Sequence, residues 1–461
     1  MILLAIMPPW GKPTVPLGLG CLSQFLTIHD IEHKILDLNL DIYQRLDADL
    51  RHLWLPQYLD HWMHPEKFNN TKENLEQYIE WAVDEISRLQ FSMIGFSVNL
   101  ANRRISVEIA KRLRQRCPDK TIVFGGLGVY IYGERSLIPD GIVDFFVMGE
   151  GEATLLDLVL KESSGRSLTN TIGTITNPKE HSFSPRLPVD LSKHFWPTYE
   201  KFKVDQYPMK EKSMPIILGR GCVNKCSFCG DFPFWGKYRN RQAVNVVDEI
   251  EHHIKNYGMH TFTFNDLAIN SNPKILEEMC DLIIERKLDI EWSSYAYLKN
   301  ISDSLIKKMR DSGCTMLCFG LESGSNAILK RMNKFITAEK SSKNLTQISS
   351  GGILCNIGLM VGFPYETEEE FQETIVFLKK NKDYIHEISS ISSFYVKPLS
   401  PVELNPDKYG ITFPENPNLR WNHWEGEDGS CYEKRVEKVW RLANFIEKSP
   451  IKFCKDNIHG L

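Results

Sequence analysis

Three cysteines on one short loop carry the most specific chemistry in this sequence of 461 residues. Cys222, Cys226 and Cys229 lie within eight residues of one another, in a Gly-flanked segment that follows a predicted buried strand. Thiolates at this spacing can fold around one metal cluster. Three ligands for four irons leave one iron open, where the amino and carboxylate groups of a bound cofactor could chelate it.

Chance and zinc binding are the two alternatives to a cluster at these cysteines. With 11 cysteines in the chain, chance would produce this spacing only about 0.006 times per chain. A structural zinc ion would take a fourth cysteine or histidine nearby, and no further one occurs between residues 195 and 251. The sequence therefore favours an iron–sulfur cluster over a zinc site.

The composition is that of an ordinary globular protein, with 42% hydrophobic and 25% charged residues. A formal charge of −4 gives no electrostatic reason to expect a nucleic acid or an anionic membrane as partner. The first residues lack the pattern of a signal peptide, and no apolar run reaches the roughly 18 residues that span a bilayer. We therefore expect a cytoplasmic protein whose cysteines are thiols or metal ligands rather than disulfides.

Apolar runs alternate with helical patterns in the first part of the chain, which we assign to a domain at 1–160. A polar, helical stretch at about 45–90 is interpreted as an insertion. Strands alternating with helices imply a parallel sheet covered on both faces, so a Rossmann-like or flavodoxin-like α/β domain is expected. The predicted strands are 2–7, 33–38, 92–98, 121–125 and 143–148, and the predicted helices are about 17–29 and 104–116.

Proline-rich residues at 161–214 are interpreted as a linker, and a second alternating series follows at 215–397. Six strand–helix units of this length predict a partial TIM-type (β/α)6 barrel, whose chemistry lies at the carboxyl ends of its strands. Residues 398–461 form a C-terminal extension that closes with a helix at about 432–448. The predicted strands are 215–219, 261–265, 290–295, 315–321, 356–361 and 389–396, and the helices are about 243–257, 273–287, 302–312, 337–350 and 367–381.

Capping residues support several of these boundaries. Thr367 with Glu370 makes a capping box, and Thr337 is a good helix N-cap. Gly351 and Gly352 suit a helix end.

The Cx3CxxC spacing, with Phe228 before the last cysteine, resembles the radical S-adenosylmethionine (SAM) superfamily over about 215–397. The resemblance implies a four-iron four-sulfur cluster on the three cysteines, SAM on the open iron, and SAM-binding residues at the ends of the second, fourth and fifth barrel strands. Carried onto this sequence, that set is Phe228, Gly230, Asn265, Asp266, Glu322, Ser323, Met360 and Gly362.

The resemblance to this superfamily implies a radical reaction. The reduced cluster would pass an electron to the SAM sulfonium and break a carbon–sulfur bond, and the 5′-deoxyadenosyl radical would take a hydrogen from the substrate. A reducing partner such as flavodoxin or ferredoxin would supply the electron. The substrate would be a small molecule or a peptide, and no sequence feature identifies it.

Residues 2–160 resemble the cobalamin-binding domains that are fused to radical SAM barrels. The matching glycine and polar residues, to which the resemblance assigns cobalamin binding, are Gly18, Ser97, Gly125, Gly126, Gly149 and Glu150. The sequence departs from better-known cobalamin domains because it lacks the Asp-x-His-x-x-Gly pattern that supplies a histidine to cobalt. A scaffold domain without cofactor therefore stays open as an alternative.

Three functions follow from these resemblances. The first is cobalamin-dependent methylation of an unactivated carbon. The second is a cobalamin-independent dehydration, deoxygenation, cyclisation or rearrangement, and the third is a sensor without catalysis. Transfer-RNA methylthiotransferases are a poor match, because their first domain carries three cysteines and this one has only Cys21 and Cys117.

Several further residues lie near the predicted strand ends or in the tail. Asp231, Tyr295, Tyr297 and Lys397 are candidate pocket residues of unassigned role. Cys314 and Cys318 are expected in the core, as free cysteine often is. In the tail, Trp421, His423 and Trp424 either cover the substrate or pack the tail onto the barrel, and we favour packing.

Overall fold

The computed structural model describes residues 1–10, 15–192, 196–207, 213–299, 301–416 and 419–459. The chain divides into two compact units, Met1–Lys212 and Ser213–Leu461. Small parts of the expected linker and C-terminal extension lie outside the described residues. No helix among the described residues is both long and apolar enough to cross a membrane.

The first unit is built on a six-stranded sheet in the order β2-β1-β3-β4-β5-β6. Neighbouring strands are parallel, except that β6 runs antiparallel to β5. The order 2-1-3-4-5 is flavodoxin-like, with its topological switch point between β1 and β3. The α/β class expected for this part is confirmed, whereas β6 is a strand that the sequence does not predict. The strands are β1 Ile2–Ile6, β2 His33–Asp37, β3 Met93–Ser97, β4 Thr121–Gly125, β5 Phe145–Val147 and β6 Thr174–Ile175.

Both faces of this sheet are covered by apolar clusters. Along β1, Leu3 and Ala5 belong to one cluster, and Leu4 and Ile6 belong to the other. This division follows from the two-residue period of a strand. The helices of this unit are α1 Leu17–Thr27, α2 Leu38–Arg45, α3 Asp60–Met63, α4 Pro65–Asn74, α5 Glu76–Ser87, α6 Arg103–Arg116, α7 Leu127–Tyr130, α8 Tyr132–Arg135 and α9 Glu152–Ser163.

The segment interpreted as an insertion is helical and packs against one face of the first sheet. The rings of Trp54 and Trp62 meet edge to face at 5.1 Å, and both are buried. Their indole N–H groups donate to Asn39 Oδ1 and to the Leu53 carbonyl, each at 2.8 Å. The tryptophans thus bury large apolar surfaces while both of their indole N–H groups are hydrogen-bonded.

The second unit contains six parallel strands in the order β7-β10-β11-β12-β13-β14. Strands that follow one another in the chain are neighbours in the sheet, which is the arrangement of a partial TIM-type barrel and confirms that prediction. Two short strands of the tail, β17 and β18, extend the sheet beside β14. The strands are β7 Ser213–Ile216, β8 Gly219–Arg220, β9 Arg239–Asn240, β10 Thr261–Phe264, β11 Glu291–Ala296, β12 Cys314–Glu322, β13 Leu354–Val361, β14 Glu387–Ser393, β15 Ile411–Thr412, β16 Glu425–Gly426, β17 Lys452–Phe453 and β18 Ile458–His459.

The helices between these strands begin and end close to their predicted positions. Thr367 and Glu370 form the predicted capping box, and the Thr337 side chain accepts from the Lys340 amide. Gly352 follows the end of one helix with φ +84°. The helices are α10 Asp231–Trp235, α11 Ala243–Tyr257, α12 Pro273–Glu285, α13 Asp303–Asp311, α14 Asn326–Arg331, α15 Ala338–Ser350, α16 Glu368–Asn381, α17 Pro401–Leu404 and α18 Tyr432–Glu447.

Candidate functional site

The three cysteines lie together in the lining of one cavity in the second unit. The cavity has a volume of about 640 Å³, and Cys222, Cys226 and Cys229 all line it. Their loop follows β8, at the end of the sheet where the barrel strands have their carboxyl ends. This is where TIM-type barrels place their chemistry.

Burial controls the ionisation of the thiols. Burial raises the pKa of Cys226 to about 11 and that of Cys229 to about 12. Without a metal these thiols keep their protons, so binding of iron is coupled to proton release. The backbone amide of Asn224 donates to Cys222 Sγ at 3.4 Å, a contact that stabilises a thiolate. The donor set therefore fits a thiolate-bound iron–sulfur cluster.

No three His, Cys, Asp or Glu side chains in the described ranges converge closely enough to hold a single metal ion. A mononuclear zinc site needs such convergence, because its ligands surround one ion at about 2.0–2.3 Å. A cubane cluster needs a wider spacing, since each cysteine binds a different iron.

Residues at the end of α14 and just after it hold the cysteine loop in place. The Ser227 amide donates to the Met332 carbonyl at 2.9 Å, and the Ser227 hydroxyl donates to the Arg331 carbonyl at 3.0 Å. Asn333 Nδ2 donates to the Lys225 carbonyl at 2.7 Å. The loop that carries the cysteines is thus fixed by hydrogen bonds to backbone carbonyls that do not involve the sulfur atoms.

Glu322 and Lys334 form a nearly buried ion pair in the wall of the same cavity. Their Oε1 and Nζ atoms lie 3.2 Å apart, and the side chains are 14% and 5% exposed. Lys334 also donates to the Gly320 carbonyl, and its ammonium group lies 5.7 Å from the centre of the Phe228 ring. Of the eight residues that the sequence assigns to SAM binding, Phe228 and Glu322 line the cavity with the cysteines.

Asp266 is hydrogen-bonded to the backbone that precedes the cysteine loop. Its two carboxylate oxygens accept from the amides of Leu218 and Gly219, at 2.8 and 2.7 Å. The side chain is 2% exposed and does not line this cavity. Asp266 therefore positions the segment that leads to the cysteine loop, and its assignment to SAM binding stays a prediction.

The other residues assigned to SAM do not line this cavity, and their assignment stays a prediction. Ser323 is buried, with its hydroxyl 3.1 Å from that of Thr374. Gly362 has φ +75°, and its amide donates to Glu366 Oε2 at 2.7 Å. Gly230 packs on Pro398, and Asn265 is exposed. Met360 packs against the group of buried apolar side chains that contains Trp424.

The barrel strands add residues to the cavity that sequence reasoning missed. Cys318 lines it, contrary to the expectation that this thiol lies in the core. On β12 the residues Leu317, Phe319 and Leu321 are buried, so the two-residue period turns Cys318 to the same side as Glu322. That signal was present in the sequence. Ser390 and His459 also line the cavity, and nothing in the sequence marks His459, because β18 has only two residues.

Of the four candidate pocket residues, Asp231, Tyr295 and Tyr297 line the cavity, and Lys397 contacts Asp231. The tail tryptophans do not line it. Trp424 is fully buried and donates to the Phe394 carbonyl at 3.2 Å, and His423 stacks on Tyr432. Packing of the tail, the favoured alternative, is therefore what the described residues show.

In the first unit, the predicted cobalamin-binding residues lie near the carboxyl edge of the sheet. Ser97 ends β3, beside the switch point, and Gly125 ends β4. A methyl group added at Gly18 or Gly149 would meet no atom within 4 Å, so space is open at both positions. A crevice at this edge is where open α/β sheets bind ligands.

Gly126 and Glu150 also have structural partners, and their assignment to cobalamin binding stays a prediction. Gly126 has φ +104°, and a Cβ there would stand 2.5 Å from the Val98 carbonyl oxygen, so this glycine allows two loops to approach. Glu150 Oε2 accepts from the Val189 amide at 3.0 Å.

Comparison with known sequences identifies the class of the second unit. Residues 216–378 match the family described as the radical SAM superfamily. The chain therefore contains a radical SAM domain, as its cysteine motif predicts.

Relatives and solved structures extend the likeness beyond that domain. An uncharacterized methyltransferase of Pyrococcus horikoshii is 28% identical over 64% of this chain and 65% of its own length. The cytidylyl-2-hydroxyethylphosphonate methyltransferase of Streptomyces wedmorensis is 24% identical over 90% of this chain and 82% of its own length. The methyltransferase TsrM of Kitasatospora setae, solved with cobalamin and a four-iron four-sulfur cluster, superposes with a TM-score of 0.70 at 16% identity, over 96% of this chain and 90% of that one.

These alignments differ in extent. The chain spans 50% to 65% of the length of the first three curated relatives that it matches. The structural likeness covers nearly the whole chain and establishes a shared fold.

Proposed function

We propose that the protein is a cobalamin-dependent radical SAM methyltransferase that methylates an unactivated carbon of a small molecule or peptide. The observation that carries this proposal is the cavity that gathers Cys222, Cys226 and Cys229 with the Glu322–Lys334 pair, inside a domain that matches the radical SAM superfamily. A flavodoxin or ferredoxin would be the electron donor.

The residues that line the cavity would have different roles in this reaction. The three cysteines would hold the cluster, and Glu322, kept in place by Lys334, would offer a carboxylate to the polar end of SAM. When bound, the cluster supplies the electron that splits SAM, and cobalamin supplies the methyl group. Apolar walls that include Phe228 and Phe232 would keep water and stray hydrogen donors from the radical.

Three observations support cobalamin in the first unit. The sheet has the strand order and switch point at which such folds bind large cofactors. The edge is open at Gly18 and Gly149. Two relatives are named methyltransferases, and a protein of the same fold was solved with cobalamin bound. Because the Asp-x-His-x-x-Gly motif is absent, the cobalt would bind without a histidine from that motif.

The cluster is tested by anaerobic reconstitution with iron and sulfide. The wild-type chain should gain about four irons per molecule and should form 5′-deoxyadenosine from SAM and a low-potential reductant. Cys226→Ala should lose both properties, whereas Cys454→Ala, at an exposed cysteine in the tail, should keep them. Full SAM cleavage by Cys226→Ala would reject the ligand assignment.

Cobalamin binding is tested with hydroxocobalamin, whose visible absorption is followed on the intact protein after gel filtration. Gly18→Trp adds a large side chain in the first turn of α1, where a Cβ would meet no atom within 4 Å, so it should abolish binding. Lys111→Trp, at an exposed position on α6, should not. Cleavage of SAM by a wild-type chain that binds no cobalamin would instead support the cobalamin-independent reactions.

A further inference from the structure

Asp231 connects the cysteine loop to Lys397, which follows the last barrel strand, β14. Its Oδ2 atom accepts a hydrogen bond from Cys229 Sγ at 3.0 Å and another from Lys397 Nζ at 3.2 Å. Asp231 is 23% exposed and Lys397 is 36% exposed, so neither charge is fully hydrated. One carboxylate oxygen thus stands between a predicted iron ligand and an ammonium group.

The segment that carries Lys397 is itself fastened to the cysteine loop. A side chain at Gly230 would collide with the carbonyl oxygen of Pro398, so the two backbones lie in direct contact. The Val402 amide donates to the Ser227 carbonyl at 3.0 Å. Leu399 takes a left-handed conformation with φ +66°, and its amide donates to Glu403 Oε2 at 3.1 Å. These contacts hold the base of the Lys397 side chain beside the loop.

The charges in this arrangement bear on electron transfer. Iron would replace the proton that Cys229 donates in this hydrogen bond, so the Asp231 carboxylate would then lie beside a ligating thiolate. There it would oppose the addition of an electron to the cluster, because like charges repel strongly where water is scarce. An ammonium group on the same oxygen offsets that effect. Hydrogen bonds and charges around the sulfur atoms are among the factors that set the reduction potential of iron–sulfur clusters.

We infer that Lys397 is a positioning residue that fixes Asp231 and offsets its charge beside the Cys229 sulfur, which keeps the cluster within reach of its electron donor. This inference rests on the proposed function, since it requires a cluster on the three cysteines. It assigns to the segment after β14 a role in tuning the cluster, in addition to its role in packing.

The test is a redox titration of the reconstituted full-length protein, followed by the electron paramagnetic resonance signal of the reduced cluster. Lys397→Met should shift the midpoint potential to a more negative value, and Asp231→Asn should shift it to a more positive one. The double variant should return close to the wild-type value, because the two charges are removed together. Lys397→Arg should keep the wild-type value, as should Lys382→Met at an exposed lysine after α16.

The iron and sulfide contents of every variant distinguish a failure of the proposed function from a failure of the inference about Lys397. If the wild-type chain assembles no cluster, the proposed function fails. If all variants assemble a full cluster and Lys397→Met titrates like the wild type, only the inference fails. If Lys397→Met alone cannot assemble a cluster, the comparison of Asp231→Asn with the double variant decides: equal potentials in those two proteins would overturn the role of Lys397.

Discussion

Lys334 Nζ lies 3.2 Å from Glu322 Oε1 and also donates to the carbonyl of Gly320, two residues earlier on β12. Glu322 has φ +70°, which is uncommon for a residue other than glycine. The pairing of β12 with β13 shifts between Gly320 and Glu322. An irregularity at the strand end thus aims the carboxylate at the cavity, and the lysine fixes it there.

Removal of the lysine from this pair should destabilise the second unit. Lys334→Met leaves the Glu322 carboxylate without its cation, and breaking a buried pair in this way costs about 3–5 kcal/mol. The free energy of unfolding should fall by that amount in a denaturant titration. The double variant with Glu322→Gln should recover part of the loss, because no unpaired charge then remains.

A matched exposed pair provides the control for this measurement. Lys307 and Asp311 form an ion pair on α13 with side chains 77% and 45% exposed. Lys307→Met should change the unfolding free energy by about 0.5 kcal/mol or less. An equal effect of Lys334→Met and Lys307→Met would contradict the role given to Lys334.

Asp266 predicts a pH dependence of stability. Burial raises the pKa of its carboxyl from the ordinary value of 3.8 to about 7. Between about pH 4 and pH 7 the Asp266 carboxyl is ionised in the unfolded chain but still protonated in the folded protein. The stability that the protonated carboxyl contributes is therefore complete below about pH 4 and is lost as the pH rises through 7. From the shift, its full size is on the order of 4 kcal/mol.

The comparison that isolates this contribution is with Asp266→Asn, whose amide does not ionise. The stability of the wild type relative to this variant should be larger at pH 5 than at pH 8, measured by denaturant unfolding at both values. Asp383→Asn removes an exposed carboxylate and should show a much smaller change between the two pH values. A constant difference between wild type and Asp266→Asn would contradict the prediction.

The sequence is sufficient for most of the fold, because its elements are long and strongly patterned. The predicted bounds of the helix at 243–257 agree with those of α11, and the capping box at Thr367 marks the start of α16. The short strands β6, β17 and β18 are missed, since two residues carry no periodic pattern. Their existence depends on the neighbouring sheet edge, which only the tertiary structure supplies.

The sequence predicts only part of the candidate site, because some of its residues are brought there only by the tertiary structure. A loop motif such as that of Cys222 can be recognised locally, and Glu322 follows from its position at a strand end. The partner of Glu322 is Lys334, which lies beyond α14 and belongs to no motif. Position at a strand end does not give the direction of the Asp266 side chain, which depends on the amides of Leu218 and Gly219 that it binds.

The contact between Gly230 and Pro398 predicts that even a methyl group is too large at this position. Gly230 has an ordinary φ of −94°, so the constraint is space and not backbone conformation. Gly230→Ala should push the segment after β14 away from the cysteine loop and cost about 1–3 kcal/mol. Thermal unfolding measures this loss. Gly133→Ala, on α8 with open space around it, serves as the control and should not lower stability.

Trp424 distinguishes a tail that packs on the barrel from a tail that covers the substrate. Its ring is fully buried, its N–H donates to the Phe394 carbonyl at 3.2 Å, and the Arg435 guanidinium lies 3.7 Å from the ring centre. Trp424→Ala should therefore lower the free energy of unfolding by about 3–5 kcal/mol, because it leaves a large cavity. Trp440→Ala, at a tryptophan that is 41% exposed on α18, should change it by about 0.5 kcal/mol or less. If Trp424 instead covered the substrate, its removal would leave the unfolding midpoint unchanged and would only weaken turnover, and denaturant titration of the two variants separates these outcomes.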